Sequence, residues 1–289
     1  MIRFQYGEEQ YKQTLIEMWK LCFPGDTLEF RTFYFDKVYR NEETLIALEN
    51  EQLIASLQMI PYQIKLEDKI FPAAYISGAM THPDFQRKGY MGKLLEHAFE
   101  EMARKQFPIT FLIPQEEWLS DFYAGYGYKK AFPWNSESIG TWQTNPGEIE
   151  KNNLFVQYKS IEEIDLETLY TIYSGFLNQK KLVVLKTKQQ FRNILEDLFI
   201  EDGTVFAGEN EIALAIPGET ENTIKLKECF CKNEIKKVFL SSIACLSGKK
   251  EIIELNSTSG SFSHYWGMIR VLDESINVSG DIYMNTMLN

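Results

Sequence analysis

The chain has 289 residues, of which 44% are hydrophobic and 14% aromatic, and this length suits two domains of ordinary size. Forty-one acidic against thirty basic residues give a formal net charge of −11. This balance argues against a nucleic-acid-binding surface, which needs clustered lysine and arginine. No stretch has the length and apolarity of a membrane helix, and the first residues are not typical of a secretory signal.

The cysteines favour a reduced protein without a metal centre. There are four of them, Cys22, Cys229, Cys231 and Cys245, and their spacing is not that of a disulfide framework. Cys229 and Cys231 alternate as in a strand and lack the second pair that a zinc site would need. We therefore expect a cytoplasmic protein with no bound metal.

In the first half, strand-like and helix-like patterns alternate. Strands are predicted at 2–6, 44–48, 52–60, 70–81 and 109–113, with a hairpin turn at 49–51. Helices are predicted at 10–21, from a Thr27 cap to about residue 39, at 90–105 and at 118–123.

A polar, turn-rich stretch at 134–153 predicts the boundary between two domains, 1–145 and 150–289. Beyond it the order of elements is repeated. Strands are predicted at 154–158, 205–207, 212–216, 223–230 and 252–255, and helices at 165–176, 187–199 and 233–246. The expected fold class is α/β (α+β), with two similar domains whose mixed, mostly antiparallel sheets are flanked by helices.

The segment after the predicted strand 70–81 carries the strongest chemical signal. A polar loop containing Gly89 leads into an amphipathic helix, so free backbone N–H groups and the positive end of the helix dipole can surround an anion. Arg87 and Lys88 add positive charge. The loop lacks the motifs of nucleoside-triphosphate and dinucleotide folds. A pyrophosphate is the expected ligand of this loop. The alternative is that the loop is a plain strand-to-helix turn with no ligand.

Residues 82–91 read His-Pro-Asp-Phe-Gln-Arg-Lys-Gly-Tyr-Met, and 122–128 read Phe-Tyr-Ala-Gly-Tyr-Gly-Tyr. Both segments, in this order, resemble the signatures of the GCN5-related N-acetyltransferase (GNAT) superfamily over residues 1–135. Met91 occupies a place where that superfamily usually has Gly or Ala. A larger residue there is also found in the enhanced intracellular survival (Eis) branch, which has a second, degenerate GNAT-like domain.

The segment 265–273 is similar to the stretch after the second domain in the Eis branch. The chain ends soon after it, so the resemblance implies that most of that branch's third domain is absent. The acceptor and any homo-oligomeric state therefore stay open.

The resemblance implies an acetyl-coenzyme A site, with acetyl-coenzyme A as co-substrate. The pantetheine arm would pair with the backbone of Met80, Thr81 and His82, and one of these N–H groups would stabilise the oxyanion. The pyrophosphate would lie against Gln86, Arg87, Lys88, Gly89, Tyr90, Met91 and Gly92.

Tyr123 is the candidate general acid that protonates the departing thiolate, with a packing role as the alternative. Tyr126 and Tyr128 are expected to pack. No general base is assigned among His82, Glu116, Glu117 and the carboxylate of Asn289.

On the acceptor side, the loop between the first two helices offers Asp26, Glu29 and nearby Tyr34 for a cationic amine, although a solvated loop explains the same residues. In the second half, the junction 231–233 lacks a glycine and has no room for a pyrophosphate loop. We therefore expect one coenzyme site per chain.

The sequence thus favours an N-acetyltransferase acting on a primary amine of a small molecule or peptide. The alternative is an acyl-coenzyme A-binding sensor or scaffold without transfer activity. Met59 and Phe111 could line or block a channel for a longer acyl chain, which the sequence does not decide.

Overall fold

The computed structural model describes residues 2–141, 155–256, 264–284 and 286–288. They fall into two compact units. The first comprises Met1–Ala131 with Trp266–Asp281, and the second Phe132–Tyr265 with Ile282–Leu288. Within the described ranges, every helix is too short or too polar to cross a membrane.

The first unit is a mixed sheet with helices. Its strands are β1 (Ile2–Tyr6), β2 (Thr44–Glu49), β3 (Gln52–Leu66), β4 (Lys69–Thr81) and β5 (Ile109–Leu112). Its helices are α1 (Glu9–Cys22), α2 (Leu28–Phe33), α3 (Tyr90–Arg104) and α4 (Trp118–Ala124). Neighbouring strands from β1 to β4 pair antiparallel, whereas β4 and β5 run parallel.

Local sequence signals explain several boundaries in this unit. The side chain of Thr27 accepts a hydrogen bond from the Phe30 N–H, so α2 begins where the cap predicts. The helix does not continue regularly to residue 39, however, because a wider π-helical turn spans Tyr34–Val38. Tyr34, Phe35 and Val38 are all buried there. A regular helix would direct these adjacent residues to different faces, whereas the wider turn brings them all into the core.

The second unit has the same kinds of element. It contains β6 (Lys129–Thr141, mostly in this unit), β7 (Val156–Tyr158), α5 (Leu166–Gln179), β8 (Leu182–Leu185), α6 (Lys188–Ile200), β9 (Thr204–Ala207), β10 (Ile212–Pro217), β11 (Thr223–Phe230), α7 (Asn233–Ser247) and β12 (Glu251–Asn256). The order in its sheet is β6-β12-β11-β10-β9-β7. Only β11 and β12 pair in parallel within it. The predicted fold class is confirmed.

Strand β6 departs from the sequence-based assignment, and β8 was not predicted. A 13-residue strand occupies Lys129–Thr141, although the sequence becomes polar from Trp134. Polar side chains are compatible with a strand whose backbone pairs with a neighbour, and β6 pairs with β12. The rest of the predicted boundary, 142–154, lies outside the described residues.

The last long strand, β13 (His264–Val271), adds to the first sheet. Met268 to Val271 pair antiparallel with β5, so this strand provides β5 with a second neighbour. The sequence-based division kept 150–289 together, whereas the structure groups Trp266–Asp281 with the first unit. This difference arises because strand pairing joins segments that are distant in sequence.

Candidate functional site

A bulge in β4 lies at the centre of the candidate site. The register between β3 and β4 shifts between Ser56 and Gln58, opposite Gly78. Gly78 has a φ of +55°, and a β-carbon added to it would lie 2.7 Å from Cζ3 of Trp19. Only glycine combines this left-handed backbone with such a close approach of the indole.

Beyond the bulge, no described strand pairs with β4 on the β5 side. The parallel pairing of β4 with β5 ends at Ile76 and Leu112, while β4 stays paired with β3 as far as Thr81. The N–H of His82 donates to the Ile54 carbonyl at 2.9 Å. Because hydrogen bonds alternate along a strand, the N–H of Thr81 faces the open side.

Of the three backbone positions predicted to pair with pantetheine, His82 does not fit. Its N–H is taken by Ile54, and its carbonyl accepts from the Phe85 N–H at 2.8 Å. By alternation, the N–H of Met80 is also directed at β3. Thr81 is therefore the position of the three that presents an N–H to the open edge.

The loop between β4 and α3 curls through two left-handed residues. Arg87 has a φ of +61° and Gly89, the N-cap of α3, a φ of +78°. The first helical hydrogen bond runs from the Lys93 N–H to the Gly89 carbonyl. Within the described part of the chain, the N–H groups from Arg87 to Gly92 have no acceptor. The loop thus presents a run of free amides of the kind that binds anions.

Two loop side chains hold this curl rather than project from it. The Gln86 side-chain amide donates to the Thr81 carbonyl at 3.2 Å, which ties the loop to the open edge of β4. The Lys88 ammonium donates to the Asp84 carbonyl at 2.8 Å and lies 5.0 Å from the centre of the Phe85 ring. Gln86, Lys88 and the neighbouring Arg87 remain exposed, so both basic residues keep positive charge near the free amides.

Tyr123 lies on α4 in the core that includes Ile76 and Leu112, the last paired residues of β4 and β5. Its ring packs edge-on against Phe122 and Tyr128. The hydroxyl has no hydrogen-bond partner among the described residues. Burial raises the pKa of Tyr123 to about 12, so the phenol is protonated at neutral pH and can serve as a proton donor.

The predicted acceptor residues separate into different environments. Asp26 is partly buried, and its carboxylate accepts from the Trp19 indole N–H at 2.6 Å. Burial raises the pKa of Asp26, an effect that this hydrogen bond and Arg31 oppose. Glu29 is exposed in the first turn of α2. Asp26 therefore lies beside the indole that covers Gly78, whereas Glu29 faces solvent.

Tyr34 does not fit the role of a residue that touches an acceptor. Its side chain is only 1% exposed, and its hydroxyl donates to Gln58 Oε1 at 2.7 Å and lies 3.0 Å from Ser77 Oγ. Both partners flank the bulge. Tyr34 thus supports the bulge from the core, a function that the sequence pattern did not reveal.

The candidate general bases are not brought together. His82 Nδ1 accepts from the Asp84 N–H at 3.3 Å, and Glu116 accepts from the Trp118 indole. Glu117 is exposed as the residue before α4. The carboxylate of Asn289 lies outside the described residues. The described geometry assigns no base.

Comparisons with known proteins find similarity at the level of the domain and the fold. The sequence model of the acetyltransferase (GNAT) domain matches residues 3–131, which is less than half of the chain. The search of the curated proteins found no relative of this chain.

Solved structures share the fold over nearly the whole chain. A probable N-acyltransferase of unknown function from Enterococcus faecalis V583 superposes with a TM-score of 0.73 at 13% identity, covering 94% of this chain and 73% of that one. Eis1 from Mycobacterium abscessus gives 0.70 at 12% identity, covering 94% and 74%. A putative acetyltransferase from Pyrococcus horikoshii gives 0.54 at 11% identity, covering 99% and 95%. The predicted likeness to the Eis branch is confirmed at the level of the fold.

The bulge at Gly78 yields a stability prediction. We expect Gly78→Ala to lower the free energy of unfolding by about 1–3 kcal/mol, because the β-carbon meets Trp19 and the left-handed backbone is strained. Gly175→Ala is the matched control: this exposed residue in α5 has an ordinary φ, and a β-carbon there meets nothing within 4 Å. The control should be neutral or stabilising. Urea unfolding measures the free energy of unfolding of both variants and of the wild type. A Gly78→Ala variant as stable as the wild type would contradict the packing argument.

Proposed function

We propose that the chain is an acetyl-coenzyme A-dependent N-acetyltransferase that acts on a primary amine of a small molecule or peptide. The observation that carries this proposal is the free run of amides from Arg87 to Gly92 beside the open edge of β4, within a GNAT domain. The diphosphate of coenzyme A binds these amides, and the pantetheine arm extends along the open edge towards Thr81.

Thr81 and Tyr123 have complementary roles in the proposed reaction. The amine nitrogen attacks the thioester carbonyl carbon, and the N–H of Thr81 stabilises the negative charge on its oxygen. The carbon–sulfur bond then breaks. Tyr123 gives its proton to the departing sulfur, and the excess proton of the amine passes to water. Acetyl transfer is direct, without an acyl-enzyme intermediate.

The supporting evidence for an amine acceptor is the carboxylate of Asp26. It is held in place by the Trp19 indole, which itself packs on Gly78 of β4. A partly buried carboxylate at this position suits an ammonium group that approaches from the α1 side and loses one proton to water before its nitrogen attacks the thioester. The exposed Glu29 contributes no comparable contact.

The anion-binding loop can be tested by Gly89→Glu. The added carboxylate would face the diphosphate, so we expect acetyl-coenzyme A to bind about 100-fold more weakly or not at all. Gly248→Glu is the matched control, because Gly248 also has a left-handed φ of +68° and open space around it, but ends α7 in the second unit. Calorimetry should give one site per chain for the wild type and the control. Unchanged affinity in Gly89→Glu would refute the proposed site.

An amine panel with acetyl-coenzyme A tests the reaction itself. We expect at least one primary amine to cause release of free coenzyme A thiol, with the acetyl group recovered on nitrogen. Binding of acetyl-coenzyme A without amine-dependent thiol release would instead support the sensor or scaffold alternative.

Tyr123→Phe tests the proposed general acid with the amine found in this way. We expect kcat to fall by about 10- to 1000-fold while the affinity for coenzyme A stays the same, because the phenol acts only as sulfur departs. Tyr11→Phe on α1 is a control for loss of a phenol elsewhere in the domain. A near-normal kcat in Tyr123→Phe would leave Tyr123 with a packing role only.

A further inference from the structure

Gly92 and Tyr126 form a contact that the sequence analysis did not predict. Gly92 lies in the first turn of α3 and is buried. A β-carbon added to Gly92 would overlap the hydroxyl of Tyr126 and lie 2.9 Å from its Cζ. The Tyr126 phenol is therefore seated directly against the turn whose N–H groups are free.

The Tyr126 side chain is held in this position by its surroundings. Its ring packs 5.2 Å from that of Phe122, and its N–H donates to the Tyr123 carbonyl at 2.9 Å. Arg270 on β13 donates to the Tyr126 carbonyl at 2.7 Å, and the same guanidinium stacks 3.9 Å from the centre of the Phe99 ring on α3. Arg270 thus joins the backbone of Tyr126 to α3.

The Tyr126 hydroxyl has no partner in the part of the chain that the structure describes. Tyr126 is half-buried, and within the described ranges its Oη takes part in no hydrogen bond. A partly buried O–H without a partner is unfavourable unless a ligand or a water molecule accepts its hydrogen bond. The phenol lies at the same turn as the free N–H groups of Tyr90, Met91 and Gly92, so its proton can be directed at the anion that they bind.

We propose that Tyr126 is a coenzyme-binding residue whose O–H donates a hydrogen bond to the diphosphate of coenzyme A. This inference rests on the proposed function and adds to the amide loop a side chain from the segment after α4. The position of Tyr126 also explains why a glycine follows Met91 in this loop. A small residue is needed at Gly92 because Tyr126 covers it, while the preceding Met91 packs on the domain core.

Tyr126→Phe removes the O–H and keeps the ring. We expect the KM for acetyl-coenzyme A and the Kd for coenzyme A to rise together by about ten-fold or more, with kcat unchanged, because the lost bond is to a charged group remote from the thioester. Phosphorus NMR of bound coenzyme A should show shifted diphosphate signals and an unshifted 3′-phosphate. An unchanged Kd, or a raised Kd with unshifted diphosphate signals, would overturn the assignment.

A double-mutant cycle of Gly92 and Tyr126 tests whether misfolding, and not a lost contact, causes the weaker coenzyme binding. Gly92→Ala should weaken coenzyme binding in the wild type by displacing Tyr126, but should cause no further loss in a Tyr126→Ala background, where the space is vacant. Additive losses would contradict the proposal. If Gly89→Glu abolishes binding while Tyr126→Phe leaves the Kd for coenzyme A unchanged, the amide loop stands as the coenzyme site and the proposed role of Tyr126 is refuted.

Discussion

The parting of β4 from β5 beyond Ile76 and Leu112 is the constraint on which the candidate site depends. A β-strand with one unpaired side presents free N–H and C=O groups, and these usually attract another strand. Here the bulge at Gly78, with Trp19 packed against it, fixes where the separation occurs. The free edge is thereby positioned next to the anion-binding loop, since Gln86 bonds back to Thr81. An extended ligand with an anionic end suits both features at once.

The second unit has a similar strand arrangement but differs at the corresponding position. Its parallel pair β11 and β12 also stays in register only as far as Leu226 and Glu254, and β10–β11 has a register shift nearby. There, however, the buried carboxylate of Glu228 accepts from the N–H of Thr286 at 3.2 Å, so the C-terminal segment of the second unit packs against a β11 side chain near the shift. Burial raises the pKa of Glu228, which the buried Lys186 opposes. Only residues 231–232 connect β11 to α7, against 82–89 in the first unit.

The sequence analysis predicted the elements that depend on neighbouring residues, and it missed the contacts between residues that are distant in the chain. Helix α3 and its preceding loop were predictable because amphipathic spacing and Gly89 are signals within a few residues. Strand β13 was not assigned to the first sheet because its partner, β5, lies about 160 residues earlier in the chain. Tyr34 was predicted to touch the acceptor because an aromatic ring near the acidic residues Asp26 and Glu29 suits a cationic amine. Its burial depends instead on Gln58 and Ser77, contacts that no local pattern encodes.

The proposed coenzyme is anionic and the chain has a net charge of −11, so the proposed binding depends on short-range interactions. At physiological ionic strength exposed charges are screened beyond about 8 Å, so distant acidic residues have little effect on the loop. Backbone amides act within hydrogen-bond distance and do not depend on side-chain identity, apart from the glycines that shape the turn. The proposed donor site can therefore be predicted from a short motif. The proposed acceptor side depends on side chains such as Trp19 and Asp26, whose chemistry changes with each substitution, and so the fold leaves the acceptor unspecified.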